Sequence, residues 1–370
     1  MPRASVNTRS SAIPLALLFA AMILYASLYP FEGWRWPGSP LWSFLWAPLP
    51  RYWTWFDVLS NLVGYAPLGF LLALGLLRSG WGRWAWPIAV LLPLALTLSV
   101  EVAQHFLPRR VPSNLDLGLN LCGSLLGASS AWVLERLGGL RRWTQFRRDW
   151  FEPQANGSLV LLALWPFALL YPASVPFGLG QVWERLEDLL VAFLTETPFL
   201  EWVPMRIESA VALSPLAQAL CVALGLLAPL CMGFADVRTP WRRLAFLVAL
   251  LLAGLGASGL SSALTYGPEH AWAWVDVPAM MGVGLATGLG LVVLAAPPRL
   301  CHVCLILALA VSLSLLNRVP GSAYLDQSLE AWEQGRFIRF HGLSQWLGWL
   351  WPFAALMFGV RAVTRLPKGR

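Results

Sequence analysis

The chain has 370 residues, of which 58% are hydrophobic and only 12% charged, with a mean hydropathy of +0.62. One soluble domain cannot bury that much apolar surface, so the composition excludes a water-soluble enzyme and requires a polytopic membrane protein. The formal charge of +7 comes from basic residues spread over several short loops, which argues against a nucleic-acid partner and for contact with membrane lipids.

Apolar stretches long enough to cross about 30 Å of hydrocarbon run over residues 12–29, 57–77, 86–106, 115–134, 158–175, 209–234, 244–265, 275–296, 301–317 and 343–364. The expected fold is an all-α integral membrane protein of about ten transmembrane helices. The first stretch has a basic lead like that of a secretory signal. It runs into Tyr29-Pro30-Phe31 without a small-x-small cleavage site, however, and reads as an uncleaved helix.

The loop 30–56 carries Trp34, Trp36, Trp42, Trp46, Trp53 and Trp55, interleaved with Pro37, Pro40, Pro48 and Pro50. Indoles settle at the lipid headgroup level and prolines break helices, so the segment reads as an interfacial hairpin. A stacking platform for a sugar or lipid is the functional alternative.

The next three spans hold acidic residues at their edges. Asp57 and Asn61 are four apart on one helical face, with Pro67 and Gly69 further along. Glu101 and Gln104 are three apart near the end of the third span, with His105 beside them. Asp116 and Asn120 open the fourth span, where Gly123 and Gly127 offer a small-xxx-small packing surface. The short loop between the last two holds Arg109 and Arg110, whose guanidinium groups fork onto carboxylate or phosphate. A carboxylate at the bilayer centre costs roughly 2.5 to 3.5 kcal/mol on insertion scales, so each needs a partner, a wet cavity or a function. Because spans alternate in direction, all these groups are expected on one membrane face.

In order, these residues form D-x-x-x-N-x-x-x-x-x-P-x-G (Asp57, Asn61, Pro67, Gly69), E-x-x-Q (Glu101, Gln104), a basic residue in the loop, D-x-x-x-N (Asp116, Asn120) and a glycine pair (Gly123, Gly127). This ordered set resembles the VanZ-like family over roughly residues 12–135. The resemblance implies a membrane protein of the cell envelope, linked to glycopeptide resistance of the teicoplanin type.

A basic stretch follows at 136–157, with Arg136, Arg141, Arg142, Arg147 and Arg148, and is expected to be a cytoplasmic linker. Beyond it, a shift of 160 positions places Phe106, Pro108 and Asp116 on Tyr266, Pro268 and Asp276. The shift places Glu101 on Ser261, Gln104 on Leu264, Arg109 on Glu269 and Asn120 on Met280. The expectation is a tandem parallel repeat: a four-helix VanZ-like domain over 1–135, the linker 136–157, a degenerate second copy over 158–297 that lost most of the polar set, and a two-helix segment over 298–370. Coincidence between two apolar hairpins is the alternative.

Basic loops alternate with sparse or acidic ones, such as that holding Glu184, Glu187, Asp188, Glu196, Glu201 and Glu208. Both termini fall in the basic set and are expected in the cytoplasm of a bacterial inner-membrane protein. Cys122, Cys221, Cys231, Cys301 and Cys304 lie in or beside spans and do not read as a disulfide framework; Cys301-His302-Val303-Cys304 lacks the second ligand pair of a structural zinc site. No nucleotide-binding G-x-x-x-x-G-K-[ST] or metalloprotease H-E-x-x-H occurs.

Three readings of the acidic constellation stay open. In the first, Asp57, Glu101 and Asp116 are the catalytic acids of an enzyme acting on a lipid-linked glycan or a phosphate-bearing envelope substrate. Asn61, Gln104, His105, Arg109, Arg110 and Asn120 would bind that substrate, and the same oxygens could hold a divalent ion. In the second, the groups receive a charged solute or a proton in a transporter or binding protein. In the third, they lock helices together. The cofactor, if there is one, and the oligomeric state are not legible.

Overall fold

A computed structural model of the protein describes residues 12–29, 31–50, 52–53, 55–108, 110–171, 173–195, 197–202, 213–318 and 338–365. The helices are α1 (Ala12–Leu28), α2 (Trp55–Arg78), α3 (Ala85–Gln104), α4 (Asn114–Arg136), α5 (Gly139–Trp150), α6 (Asn156–Ala168), α7 (Trp183–Leu194), α8 (Pro215–Asp236), α9 (Pro240–Tyr266), α10 (Val277–Val292), α11 (Pro298–Leu316) and α12 (Ile338–Arg365). Eight of them are long and apolar enough to cross a membrane, while α1 and α6 are apolar but shorter. The expected all-α membrane fold is present, and all ten apolar stretches contain a helix. Two elements were expected as loops: α5 and α7 are amphipathic, and their charged faces hide them from a search for apolar runs.

The chain divides into two compact units, Met1–Phe146 and Arg147–Arg370. In the first, α2 packs along α4 so closely that the glycines decide the contact. A Cβ on Gly123 would fall on the carbonyl of Leu62, one on Gly127 on that of Ala66, and one on Gly69 on the backbone of Ser124. Small residues let helix backbones approach where lipid offers no hydrophobic driving force for association. Helix α3 packs on both, and α1 lies on α2 with Ile13 seated over Gly75.

In the second unit α8 is the central helix, apolar all round and buried at nearly every position from Ala219 to Ala235. Helices α10 and α11 flank it, and α12 packs on α11 and α6. Helix α6 ends at Ala168 rather than continuing to residue 175 as expected. At about 1.5 Å per residue it is some 20 Å long, and the chain goes on as buried non-helical backbone through Val175, Phe177 and Leu179. Backbone of that kind survives at membrane depth only where protein satisfies it. Here Gly180 N–H donates to Gly348 at 2.9 Å, and Asn317 Nδ2 donates to the Gly180 carbonyl at 3.0 Å. The Asn317 Oδ1 then accepts the N–H groups of Val182 and Trp183, which caps α7.

The two units share one local motif. Asn61 on α2 donates to Asp116 at the start of α4 at 3.0 Å; Gln218 on α8 donates to Asp276, the N-cap of α10, at 2.9 Å. Gly282 and Ala286 of α10 are buried, with Gly282 against Val222 and Ala219 of α8.

Candidate functional site

Three helix stripes carry the polar residues of the first unit. Positions 57, 61 and 65 lie one turn apart on α2, positions 97 and 101 on α3, and positions 116, 120 and 124 on α4. The stripes meet. Ser113, the N-cap of α4, accepts the Asp116 N–H at 3.3 Å and gives its own N–H to Glu101 Oε2 at 2.8 Å. Glu101 is only 2% exposed, so its carboxylate ties the end of α3 to the start of α4 in a nearly dry setting. One turn deeper, Asn120 Nδ2 donates to Thr97 Oγ1 at 2.9 Å, and Ser124 Oγ donates back to the Asn120 carbonyl at 2.9 Å. Thr97, Asn120 and Tyr65 are all buried; Asn120 Oδ1 has no hydrogen-bond partner among the described residues.

The remaining expected residues fasten the same membrane face. Gln104 Nε2 donates to the Ser27 carbonyl at the end of α1 at 3.0 Å, and Arg110 Nη2 donates to that of Tyr29 at 2.8 Å. Asp57 is half-buried in the first turn of α2, where its carbonyl accepts from Ser60 Oγ at 3.0 Å. Arg109 lies outside the described residues.

Above these helix ends the tryptophan-rich loop folds back over the α3–α4 connection. Arg35 N–H donates to the Phe106 carbonyl at 2.9 Å, His105 Nε2 lies 3.3 Å from both the hydroxyl and the carbonyl oxygen of Ser39, and Asn114 Nδ2 donates to Ala47 at 2.6 Å. Trp36 packs on Phe106 with ring centroids 5.4 Å apart, and Phe44 is buried as the loop's anchor. Between loop and helices lies a cavity of about 700 Å³, lined in part by Arg35, Trp36, Ser39, Ser43, His105 and Arg110. No carboxylate is among its described lining residues. Trp46, Trp53 and Trp55 stay more than half exposed on the loop and its edge.

The VanZ/LLP1 family model matches residues 8–135. The matched stretch holds every polar residue just described, from Arg35 to Ser124, and ends at the last turn of α4. No curated protein and no solved structure matches the chain.

The structure thus divides the expected site of the VanZ-like region in two. His105 and Arg110 line the cavity; Asn61, Glu101, Gln104, Asp116 and Asn120 sit below it in bonds between helices. Sequence reading missed Arg35 and Ser39. Their signal was faint: one arginine early in a loop dominated by aromatics, with no periodicity to show which way it faces. Thr97 and Tyr65 were also missed, although each falls four residues from an expected site residue.

Proposed function

We propose that the VanZ-like unit binds a phosphate-bearing, lipid-linked ligand of the cell envelope in the arginine-lined cavity, on the outer face of the plasma membrane. The observation that carries this reading is the lining itself: Arg35, Arg110 and His105, with no carboxylate among the described lining residues, in a cavity of about 700 Å³. Guanidinium groups match phosphate oxygens in a two-pronged geometry, and a recess of one charge sign raises the local concentration of the opposite one. The volume suits a headgroup rather than an ion alone. Exposed indoles beside the opening suit a ligand whose other end stays in lipid, or a sugar that stacks on them. The carboxylates below hold the frame rigid in this reading, since Glu101 and Asp116 are used between helices. Binding is therefore favoured over acid–base chemistry, and glycopeptide sensitivity is the cellular phenotype to follow.

The test is binding of dodecyl phosphate, against dodecanol as the uncharged control, to the full-length protein in detergent. Dodecyl phosphate should raise the thermal midpoint and dodecanol should not. Each charge-assisted contact is worth about 1.5–3 kcal/mol, so Arg35→Ala should weaken binding by about tenfold or more. Equal stabilisation by the two ligands, or full binding by a folded Arg35→Ala/Arg110→Ala variant, would overturn the reading.

A further inference from the structure

Helix α5 owes its position to the end of α4. That helix starts beside the cavity and runs for 23 residues, about 34 Å at 1.5 Å each, which brings Arg136 to the opposite membrane face. There Leu137 and Gly138 close the helix by donating to Val133 and Glu135 at 2.9 and 3.0 Å. Gly138 takes φ +71°, a backbone shape that turns the chain sharply. The next 12 residues form α5, too short and too charged to re-enter the bilayer.

Its sequence separates into two faces. Trp143, Phe146 and Trp150 recur at helical spacing on one side, Arg141, Gln145 and Arg148 fall on the other, and Arg142 lies at the edge of the aromatic side. The Trp143 and Phe146 rings stack at 5.6 Å, and both residues reach the surface, at 53% and 39% exposed. Trp150 meets Trp241 edge-on at 5.5 Å, and the Arg242 guanidinium lies over both rings. Arg147 donates to Asn156 Oδ1, which leaves Arg141, Arg142 and Arg148 as the exposed cations. Asp149 is the only acid in the helix.

We infer that α5 is an interfacial helix that binds anionic phospholipid headgroups of the leaflet opposite the cavity. An exposed aromatic pair on a helix at a membrane face belongs in the headgroup layer, where the long side chains of arginines on the same helix reach the lipid phosphates. The occupant is a lipid surface because the helix follows a transmembrane helix through a two-residue turn. Charge complementarity selects the anionic lipid. The inference uses no part of the cavity and stands apart from the proposed ligand.

Amide hydrogen exchange tests it on the full-length protein in nanodiscs of phosphatidylcholine, alone or mixed equally with phosphatidylglycerol. The peptide covering 139–150 should exchange more slowly in the mixed bilayer, by about tenfold, since each basic residue near an anionic surface adds a several-fold preference. The Arg141→Gln/Arg142→Gln/Arg148→Gln variant should lose that difference, and the corresponding triple Lys variant should keep it. Equal exchange in the two bilayers overturns the inference. So does a glutamine variant that still responds to phosphatidylglycerol.

Discussion

Thr97 and Asn120 show what a single polar residue does inside the VanZ-like unit. Both are buried, and the bond between them crosses from α3 to α4. Removing one partner strands the other, whereas removing both exchanges a polar contact for an apolar one. Thr97→Val should therefore destabilise by about 1–3 kcal/mol, and Thr97→Val/Asn120→Leu should recover part of that loss. Thermal unfolding in detergent reads both, and a double variant no better than the single one would show that the pair has a second role. Glu101 differs because it is an ion in a dry place. A neutral amide oxygen can still accept from Ser113 N–H, so Glu101→Gln should fold and lose about 1–2 kcal/mol, the difference between a charge-assisted and an ordinary hydrogen bond. If that variant also fails to bind dodecyl phosphate while its fold holds, Glu101 acts on the ligand and is more than a tie between helices.

At the scale of elements, glycine placement decides which helices touch. Gly123 and Gly127 face carbonyls of α2, while Gly64 and Gly118 have open space where a Cβ would go. Gly127→Ala should force α2 and α4 apart and cost more than about 2 kcal/mol, as overpacking of a tight contact does. Gly64→Ala and Gly118→Ala should instead stabilise by about 0.5–1 kcal/mol, because helix interiors favour alanine. Thermal midpoints of the three variants side by side would expose any error in this assignment. The same contrast explains what was legible in the sequence. Apolar length located the eight helices long and apolar enough to cross a membrane, and four-residue spacing of Asp57 with Asn61 and of Asp116 with Asn120 pointed to polar faces that meet. The cavity was not legible, since Arg35 and Ser39 reach it through an aperiodic loop held by the bonds of its backbone to Phe106 and His105. Nor was α5, whose period is helical but whose mean character is polar.

For the whole molecule, the number of membrane crossings turns on α6. Helix α6 alone is too short, yet the buried segment that follows has its backbone tied at Gly180 to α12 and to Asn317, which is how a broken crossing is stabilised. Counting α6 with that segment as one crossing gives an even number of spans. The distribution of basic loops then predicts both ends of the chain on the cytoplasmic side. A reporter fused after Arg370 should be active only in the cytoplasm, and one inserted near Pro198, after α7, only outside. If α6 instead turns back within the bilayer, both reporters change sides, with 198 inside and 370 outside. The amide-to-aspartate bonds Asn61–Asp116 and Gln218–Asp276 would then sit on opposite membrane faces, and an inherited parallel repeat would be excluded. Opposite sides at 198 and 370, with 370 inside, place both bonds on the outer face, as duplication of one four-helix unit requires.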